Sequence, residues 1–154
     1  MQRTKILILL VATLASFSAF ADHHGKTAAE VEAAVRAFNA AYADNEVEKY
    51  FSYYADDVSI YFYGARQDVN AYHDLWAEEV AAGYAVQANE LSDLRIQVLA
   101  DGAVAIASYF VATKSLPVDG KEVSVKAFES EVWEKTEDGW KIVSLHYSEI
   151  PQEE

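Results

Sequence analysis

The sequence predicts an α+β domain in which three N-terminal helices pack on one face of a curved antiparallel sheet. Apolar residues recur at helical spacing up to residue 82, and after Gly83 the pattern changes to the alternation that is typical of strands. Turn signals at Asp101-Gly102, 117–120 and Asp138-Gly139 separate these later segments. Helices followed by a meander of strands indicate two layers, with the helices on one sheet face.

The first half of the chain carries the helical patterns. Thr27 followed by Glu30 is a capping box, which predicts a first helix that ends near Ala43. Asp44 or Asn45 can cap a short second helix. The residues predicted to face inward from the three helices are Val31, Val35, Phe38, Tyr42, Val47, Tyr50, Phe51, Tyr54, Val69, Tyr72, Trp76 and Val80.

A strand is predicted between the second and third helices. Asp56-Asp57 ends the second helix, and the β-branched and aromatic run 58–63 follows it. Gly64 ends that strand. The third helix is predicted from about 66 to 82, with Gly83 as its C-terminal stop.

Four long segments then form the predicted meander: 85–99, 103–116, 121–135 and 140–149. Between 103 and 112, both alternating sets of side chains are mostly apolar, which is unusual for a strand with one face in water. We expect a second copy of the chain to cover that second face. The alternative is that these apolar residues are simply exposed.

The N-terminus has the pattern of a secretory signal. Basic Arg3 and Lys5 precede an apolar run, and small residues at Ala19 and Ala21 provide a cleavage site. An exported protein, periplasmic or secreted, is therefore predicted. The predicted units are a signal peptide at 1–21, a mobile tail at 22–26, one domain at 27–150 and a C-terminal tail at 151–154.

Composition restricts the partners of the mature chain. The full sequence has 25 Asp and Glu against 12 Lys and Arg, a net charge of -13, and cleavage would remove two of the positive charges. Nucleic acid and anionic membranes need a basic surface, so neither is expected as a partner. The chain has no cysteine, which excludes disulfides and a lipid anchor on cysteine.

Motifs over residues 27–150 carry a family resemblance. Ala55-Asp56-Asp57-Val58 before the first strand and Gly139-Trp140-Lys141-Ile142-Val143 in the last resemble the nuclear transport factor 2-like superfamily. Tyr72-His73-Asp74-Leu75-Trp76, Val132-Trp133 and 143–148 resemble its SnoaL-like branch and the association domain of calcium/calmodulin-dependent protein kinase II. The resemblance implies a cone-shaped fold with a pocket between the helices and the concave sheet face. The superfamily includes isomerases, dehydratases and assembly domains, so the fold does not select a function.

The resemblance also implies which residues face this pocket. Trp76 takes the position of a family tryptophan, and Tyr109, Glu131 and Tyr147 take positions that hold arginines in the association domain. A pocket with a carboxylate and two phenols should prefer a neutral polar, aromatic or cationic ligand. The predicted pocket residues are Phe38, Phe62, Trp76, Tyr109, Glu131, Leu145 and Tyr147. Glu129 shares the face of Glu131 and could replace it if a bulge shifts the register.

These residues also have plainer interpretations. The aromatic and aliphatic ones could belong to the core, the phenols could bond to the backbone, and Glu131 could lie at a strand edge in solvent. Enolising isomerases of the superfamily need a base and a phenol where this chain has Phe62 and Phe38, which argues against that reaction. A different reaction stays open, with Glu131 as base and Tyr109 or Tyr147 as acid.

His146 belongs to the closing motif, but alternation places it on the face opposite Tyr147. We therefore assign it to a predicted sheet-to-sheet interface. The residues of this interface are Phe110, Ser144, His146 and Ser148. No cofactor and no metal site is predicted in the domain. A new N-terminus at Asp22-His23-His24 could bind Cu(II) or Ni(II), although a mobile polar tail is the simpler expectation.

Three classes of function follow from the sequence. The leading hypothesis is an exported domain that binds a small-molecule ligand and forms a homo-oligomer through its sheet. The second is an isomerase, lyase or hydrolase that uses Glu131 as general base. The third is an oligomerisation module without ligand chemistry.

Overall fold

A computed structural model describes residues 24–151, and within them the chain forms three α-helices, one turn of 3-10 helix at Ala100–Gly102 and one six-stranded sheet. The helices are α1 (24–43), α2 (Val47–Phe51) and α3 (Val69–Ala81). The strands are β1 (Tyr54–Phe62), β2 (Ala65–Gln67), β3 (Ala85–Leu99), β4 (Val104–Leu116), β5 (Val123–Thr136) and β6 (Gly139–Glu149). In this part of the chain no helix has the length and apolar character of a membrane span.

The sheet has the order β2-β1-β6-β5-β4-β3, which confirms the predicted α+β architecture. Strands β3 to β6 form the antiparallel meander, and β1 pairs in parallel with β6. The buried residues of α1, among them Val31, Val35 and Phe38, belong to one core with the inward residues of the meander, such as Trp133 and Ile142. The helices therefore cover one sheet face.

The start of α1 differs from the prediction. The chain is already helical at residue 24, so Thr27 lies inside the helix, where it is buried, and does not cap it. A capping box predicts a helix start only when the preceding residues leave the helix, and residues 24–26 continue it. Residues 24–26 of the predicted mobile tail are thus helical. The predicted signal peptide, residues 22–23 and residues 152–154 lie outside the described residues.

Asn45 joins the α1–α2 turn to the sheet instead of capping α2. It has a positive φ of 58°, and its side chain donates to the Val86 carbonyl at 3.0 Å and accepts from the Val86 N–H at 2.7 Å. The residue that precedes α2 is Glu46, whose side chain makes no capping hydrogen bond. The predicted cap at Asp44 or Asn45 is therefore wrong, because Asn45 satisfies the backbone of β3.

Two further boundaries differ from the prediction because strand pairing extends the sheet. Strand β1 begins at Tyr54, which pairs with Ile142 of β6, so Asp56-Asp57 lies inside a strand and does not end α2. Residues 65–67 turn back as β2 against β1, although α3 was predicted to begin at about residue 66. Helix α3 begins only after Asp68, whose carboxylate accepts from two backbone N–H groups at 3.0 Å each.

The two hydrogen bonds between Asn45 and Val86 should stabilise the turn between α1 and α2. We expect Asn45→Ala to lower the free energy of unfolding by about 2–3 kcal/mol, because two hydrogen bonds are lost and alanine is strained at positive φ. Asn45→Gly loses the same bonds without the strain, so it should recover about 1 kcal/mol of that loss. Urea unfolding measures both variants, and equal stability of Asn45→Ala and the wild type would contradict the contact.

Candidate functional site

A cavity of about 380 Å³ lies between the helices and the concave face of the sheet. Aromatic residues are the largest group in its wall, and they are Phe38, Tyr42, Tyr50, Phe62, Tyr63, Tyr72, Trp76, Tyr84 and Tyr147. Three carboxyl groups also line it, those of Glu79, Glu129 and Glu149. Among the described residues, no lysine, arginine or histidine lines this cavity.

The helices supply a continuous group of rings. Phe38 of α1 stacks on Tyr50 of α2 with centroids 4.5 Å apart. Trp76 of α3 contacts both Tyr50, at 5.0 Å, and Tyr42, at 5.1 Å. The planes of Tyr50 and Trp76 differ by 76°, so these two rings meet edge to face. Helical spacing places these rings on the inner helix faces, which the sequence pattern predicted.

Two glutamates on β5 share one phenol. The Tyr109 hydroxyl oxygen lies 2.6 Å from Glu131 Oε1 and 2.8 Å from Glu129 Oε2. Trp133 donates its indole N–H to Glu131 Oε2 at 2.7 Å. The three β5 residues point to the same side because strand side chains alternate. Glu131 has no exposed surface, whereas Glu129 lines the cavity.

A chain of amides fixes the orientation of Tyr109. Thr113 donates to Asn89 at 2.7 Å, and Asn89 donates to Asn39 Oδ1 at 2.9 Å. Asn39 Nδ2 in turn donates to the Tyr109 oxygen at 2.9 Å and to the Val35 carbonyl at 3.0 Å. Every donor in this chain points toward the phenol. The phenol proton is therefore directed at the carboxyl pair.

The geometry requires one proton on the carboxyl pair. The Tyr109 hydroxyl has one hydrogen and can donate to only one carboxylate, yet both carboxyl oxygens lie at hydrogen-bond distance. The second contact needs a proton on the other carboxyl, which donates to the phenol oxygen. A proton on buried Glu131 leaves the negative charge on Glu129, the carboxyl that lines the cavity.

Burial explains why the pair retains this proton near neutral pH. Loss of solvation raises the pKa of Glu129 to about 7. The pKa of Glu131 is raised to about 8 by burial and, to a smaller extent, by the charge of Glu129. Burial also raises the pKa of Tyr109 well above its usual value, so the phenol stays protonated. The group can hold or release one proton within the physiological range.

The predicted pocket residues divide into two groups. Those that line the cavity are Phe38, Phe62, Trp76, Leu145 and Tyr147. Tyr109 and Glu131 do not line it, so their placement in the pocket wall is corrected. Both residues are buried in the core. Glu129, which the sequence offered only as an alternative to Glu131, is the glutamate that lines the cavity. Glu129 takes the place of Glu131 in the cavity wall without a bulge, because the two residues share one face of β5 and differ in depth.

The proposed acid and interface residues lie where alternation placed them. Tyr147 lines the cavity, and its hydroxyl is 3.5 Å from Glu149 Oε1. His146 pairs across the sheet with Ser130 and Tyr61 and is exposed on the opposite face. Phe110, 39% exposed, lies on that same face. Ser144 and Ser148 alternate with the cavity residues Leu145 and Tyr147.

The predicted terminal metal ligands are only partly described. Asp22 and His23 lie outside the described residues, and His24 is in α1. Among residues 24–151, no group of three His, Cys, Asp or Glu side chains is placed to hold a metal ion. Phe38 and Phe62, at the positions of an isomerase phenol and base, both line the cavity and carry no proton to transfer.

Sequence reasoning missed several polar members of the site. Asn39, Asn89 and Trp133 were not predicted to act there, although Trp133 lies two residues from Glu131 and must share its face. That spacing was a usable signal. Nothing in the pattern singled out Asn39, which follows the inward Phe38 on the helix and becomes buried through tertiary contacts.

The shared proton predicts how stability depends on pH. The folded pKa values of Glu129 and Glu131 exceed the unfolded value near 4.5, so their stabilising protonation is complete below pH 4.5 and is lost as the pH rises through about 7 to 8. We expect the free energy of unfolding to fall by about 6 kcal/mol between pH 5 and pH 8, because two carboxyl groups contribute.

Glu131→Gln mimics the protonated carboxyl and should remove much of that fall, as measured by urea unfolding across this range. Glu134→Gln, on the exposed face of the same strand, serves as control. His73 also has a raised pKa, caused by Asp74 and Glu48, and its contribution cancels between the proteins. Parallel pH profiles for the wild type and Glu131→Gln would contradict the shared proton.

Solved structures share the fold. A hub homology domain of calcium/calmodulin-dependent protein kinase II from Chlamydomonas reinhardtii is 26% identical with a TM-score of 0.66, and the match covers 80% of this chain and 98% of that one. A candidate dehydratase of the NTF2-like family from Streptomyces avermitilis has 20% identity and a TM-score of 0.68, with coverage of 83% and 99%. An NTF2-like protein from Cytophaga hutchinsonii has 16% identity and a TM-score of 0.67, with coverage of 78% and 95%.

These structures agree with the fold derived above, and no curated protein matches the sequence. The family model of the SnoaL-like domain matches residues 31–153, which are most of the chain. The matched residues include most of α1 and every later element through β6, and they contain the carboxyl pair. The chain therefore belongs to the SnoaL-like family.

Proposed function

We propose that this chain is an exported domain that binds a small organic molecule in the cavity between its helices and its sheet. The supporting observation is the cavity itself: about 380 Å³, walled by aromatic rings, with the desolvated carboxyl of Glu129 in the wall. Ligand sites are concave, mostly apolar and oriented by a few polar groups, in volumes of roughly 300–1,000 Å³. This cavity fits that description.

The buried carboxyl pair favours ligand binding over a purely structural module. Two carboxyl groups in a core destabilise the fold unless they are protonated or paired. A domain that only assembles gains nothing from Glu129 at the cavity wall or from the amide chain that orients Tyr109. A site that must present a polar group to a ligand needs both.

Acid–base catalysis in the same cavity is the second candidate. Glu129, Tyr109 and Glu131 share a proton, and the pKa of Glu129 is raised to about 7, where a general base works best. The proposed base is thus Glu129, which reaches the cavity, and not Glu131. The likeness to a candidate dehydratase of the same fold agrees with a reaction but supports only the fold.

Export is proposed from the N-terminal pattern. Basic Arg3 and Lys5, the apolar run and the small residues up to Ala21 support cleavage of a secretory signal. N-terminal sequencing of the protein isolated from its own cells tests this, since a chain that still begins at Met1 would contradict export.

Self-association through the uncovered sheet face is also proposed. Phe110 and Phe128 contact each other at 5.5 Å on the face that the helices do not cover, and Phe110 and Tyr61 are exposed by 39% and 45%. Aromatic side chains of this size are enriched at interfaces between proteins. The likeness to a kinase hub homology domain agrees with self-association.

Ligand binding predicts that the protein purified from its native source retains a small molecule. Native mass spectrometry should show a species heavier than the chain, which denaturation removes. Val125 lines the cavity, so Val125→Trp should fill it and abolish retention. Val118→Trp, at an exposed turn position, should retain the molecule. Equal retention by both folded variants would place the ligand elsewhere.

Glu129→Gln separates binding from catalysis once that molecule is identified. If Glu129 is a general base, the variant should lower the turnover rate by about a hundredfold or more. If the domain only binds, the molecule is recovered chemically unchanged, and the variant alters affinity alone. Mass spectrometry of the molecule before and after incubation distinguishes the two results.

Self-association predicts a dimer or larger species in light scattering of the mature protein. Phe110→Glu should weaken it by about tenfold or more, because a charge would be buried at the centre of the contact. Val118 is exposed in the turn after β4, so Val118→Glu should leave the mass unchanged. A monomeric wild type at high protein concentration would refute the interface.

A further inference from the structure

We propose that the ligand of this cavity is a small organic ammonium ion that also carries a hydrogen-bond acceptor. This inference rests on the proposed binding function and specifies the class of molecule. Four features of the cavity carry it: its charge, its rings, the free side of Glu129 and an indole N–H without a partner.

The charge of the wall selects against anions. Glu79, Glu129 and Glu149 line the cavity, and none of its described lining residues is a lysine, arginine or histidine. An anionic ligand would meet carboxyl groups in a region of low dielectric constant with nothing to neutralise it. A cation meets opposite charge there and compensates the charge left on Glu129.

The rings of the helices suit an ammonium ion in particular. Tyr42, Tyr50 and Trp76 contact one another with centroids 5.0 to 5.5 Å apart and at different tilts. A cavity walled by such rings can present several faces to one bound group. Alkylated ammonium ions bind to aromatic faces because the ring quadrupole is negative there, most strongly with tryptophan.

Glu129 is available to a ligand. Within residues 24–151, its side chain makes one hydrogen bond, from Tyr109 to Oε2. Oε1 accepts none there, although a buried carboxylate usually has several donors. Glu131, by contrast, is held on both oxygens by Tyr109 and Trp133. The unused oxygen of Glu129 is the position where the positive group would be held.

Trp76 points to an acceptor on the same molecule. It is 3% exposed and lines the cavity, yet its buried indole N–H has no hydrogen-bond partner within the described residues. An unpaired buried donor costs about 1–3 kcal/mol, which a ligand oxygen would recover once neighbouring side chains move to admit it, because this nitrogen is itself covered by protein atoms. A simple alkylammonium ion lacks such an oxygen, whereas an amino alcohol or an amino ketone has one.

The carboxyl pair should change charge between pH 6 and pH 8, whereas the phenols that interact with Glu129 should not. The titratable groups that interact with Glu129 from the surrounding elements are Tyr42, Tyr50, Tyr54, Tyr72, Tyr109, Tyr147 and Glu131. Burial raises the pKa of each of these phenols, so they stay neutral. A quaternary ammonium ion has a fixed charge, so its binding should tighten as the pair ionises.

Choline and 3,3-dimethylbutan-1-ol provide the test, because they differ only by a nitrogen cation in place of a carbon atom. Titration calorimetry on the mature protein should show that choline binds about tenfold or more tightly than the neutral alcohol at pH 7.5. Choline affinity should rise several-fold from pH 6 to pH 8, while that of the alcohol stays constant. Tetramethylammonium, which lacks the oxygen, should bind more weakly than choline.

Two variants assign these differences to residues. Glu129→Gln should reduce choline affinity by about tenfold and leave the neutral alcohol unaffected, and Glu134→Gln should change neither. Trp76→Phe keeps a ring but loses the N–H, so it should remove the preference for choline over tetramethylammonium. Circular dichroism and thermal unfolding verify that each variant is folded.

The outcomes distinguish this inference from the binding function beneath it. Equal or tighter binding of the neutral alcohol, or unchanged choline affinity in Glu129→Gln, overturns the ammonium ligand. An anionic or neutral molecule retained by the native protein overturns it as well, but leaves ligand binding intact. If neither probe binds up to about 10 mM and no molecule is retained, both proposals fail.

Discussion

The structure is organised around two carboxyl groups that a single phenol joins in the core. Tyr109 can satisfy Glu129 and Glu131 together only if the pair holds a proton, and Asn39 and Asn89 hold the phenol in the orientation that this requires. The arrangement ties α1 to β3, β4 and β5. A change in register of any one strand would bring the opposite face inward and separate these groups. The polar network and the sheet register therefore depend on each other.

The cavity follows from the same arrangement. Large rings fill the core beside Glu131, where Trp133 and Phe38 contact each other at 6.1 Å. Further along the sheet the aromatic residues of the helices line the cavity, and Glu129 lies at that boundary. Glu131 is enclosed and holds its proton more strongly, whereas Glu129 faces the cavity and has the lower pKa of the two. Depth in the core thus assigns different roles to two residues of the same type.

The two faces of the sheet differ in what covers them. Strand β4 buries Ala105, Ala107 and Tyr109 under the helices and directs Phe110 to the uncovered face. Its apolar pattern on both sides is what a strand between a core and an interface would show. The closing motif divides in the same way, with Leu145 and Tyr147 toward the cavity and His146 away from it.

Much of the architecture could be predicted from the sequence because local periods determine it. The change from helical spacing to alternation fixed the α+β class, and alternation correctly separated the two faces of β6. Boundaries were less certain where a long-range contact competes with a local signal. Asn45 is bound to β3 instead of capping a helix, and Tyr54 is drawn into a strand by its pairing with β6.

The sequence by itself determined that Glu129, Glu131 and Trp133 point to one side of the sheet, since side-chain direction follows from a period of two. Only the tertiary structure decided that Glu131 is sealed in the core and that Glu129 reaches the cavity. Depth depends on where the helices cover a curved sheet. That is set by contacts between residues far apart in the chain, and no local pattern encodes it.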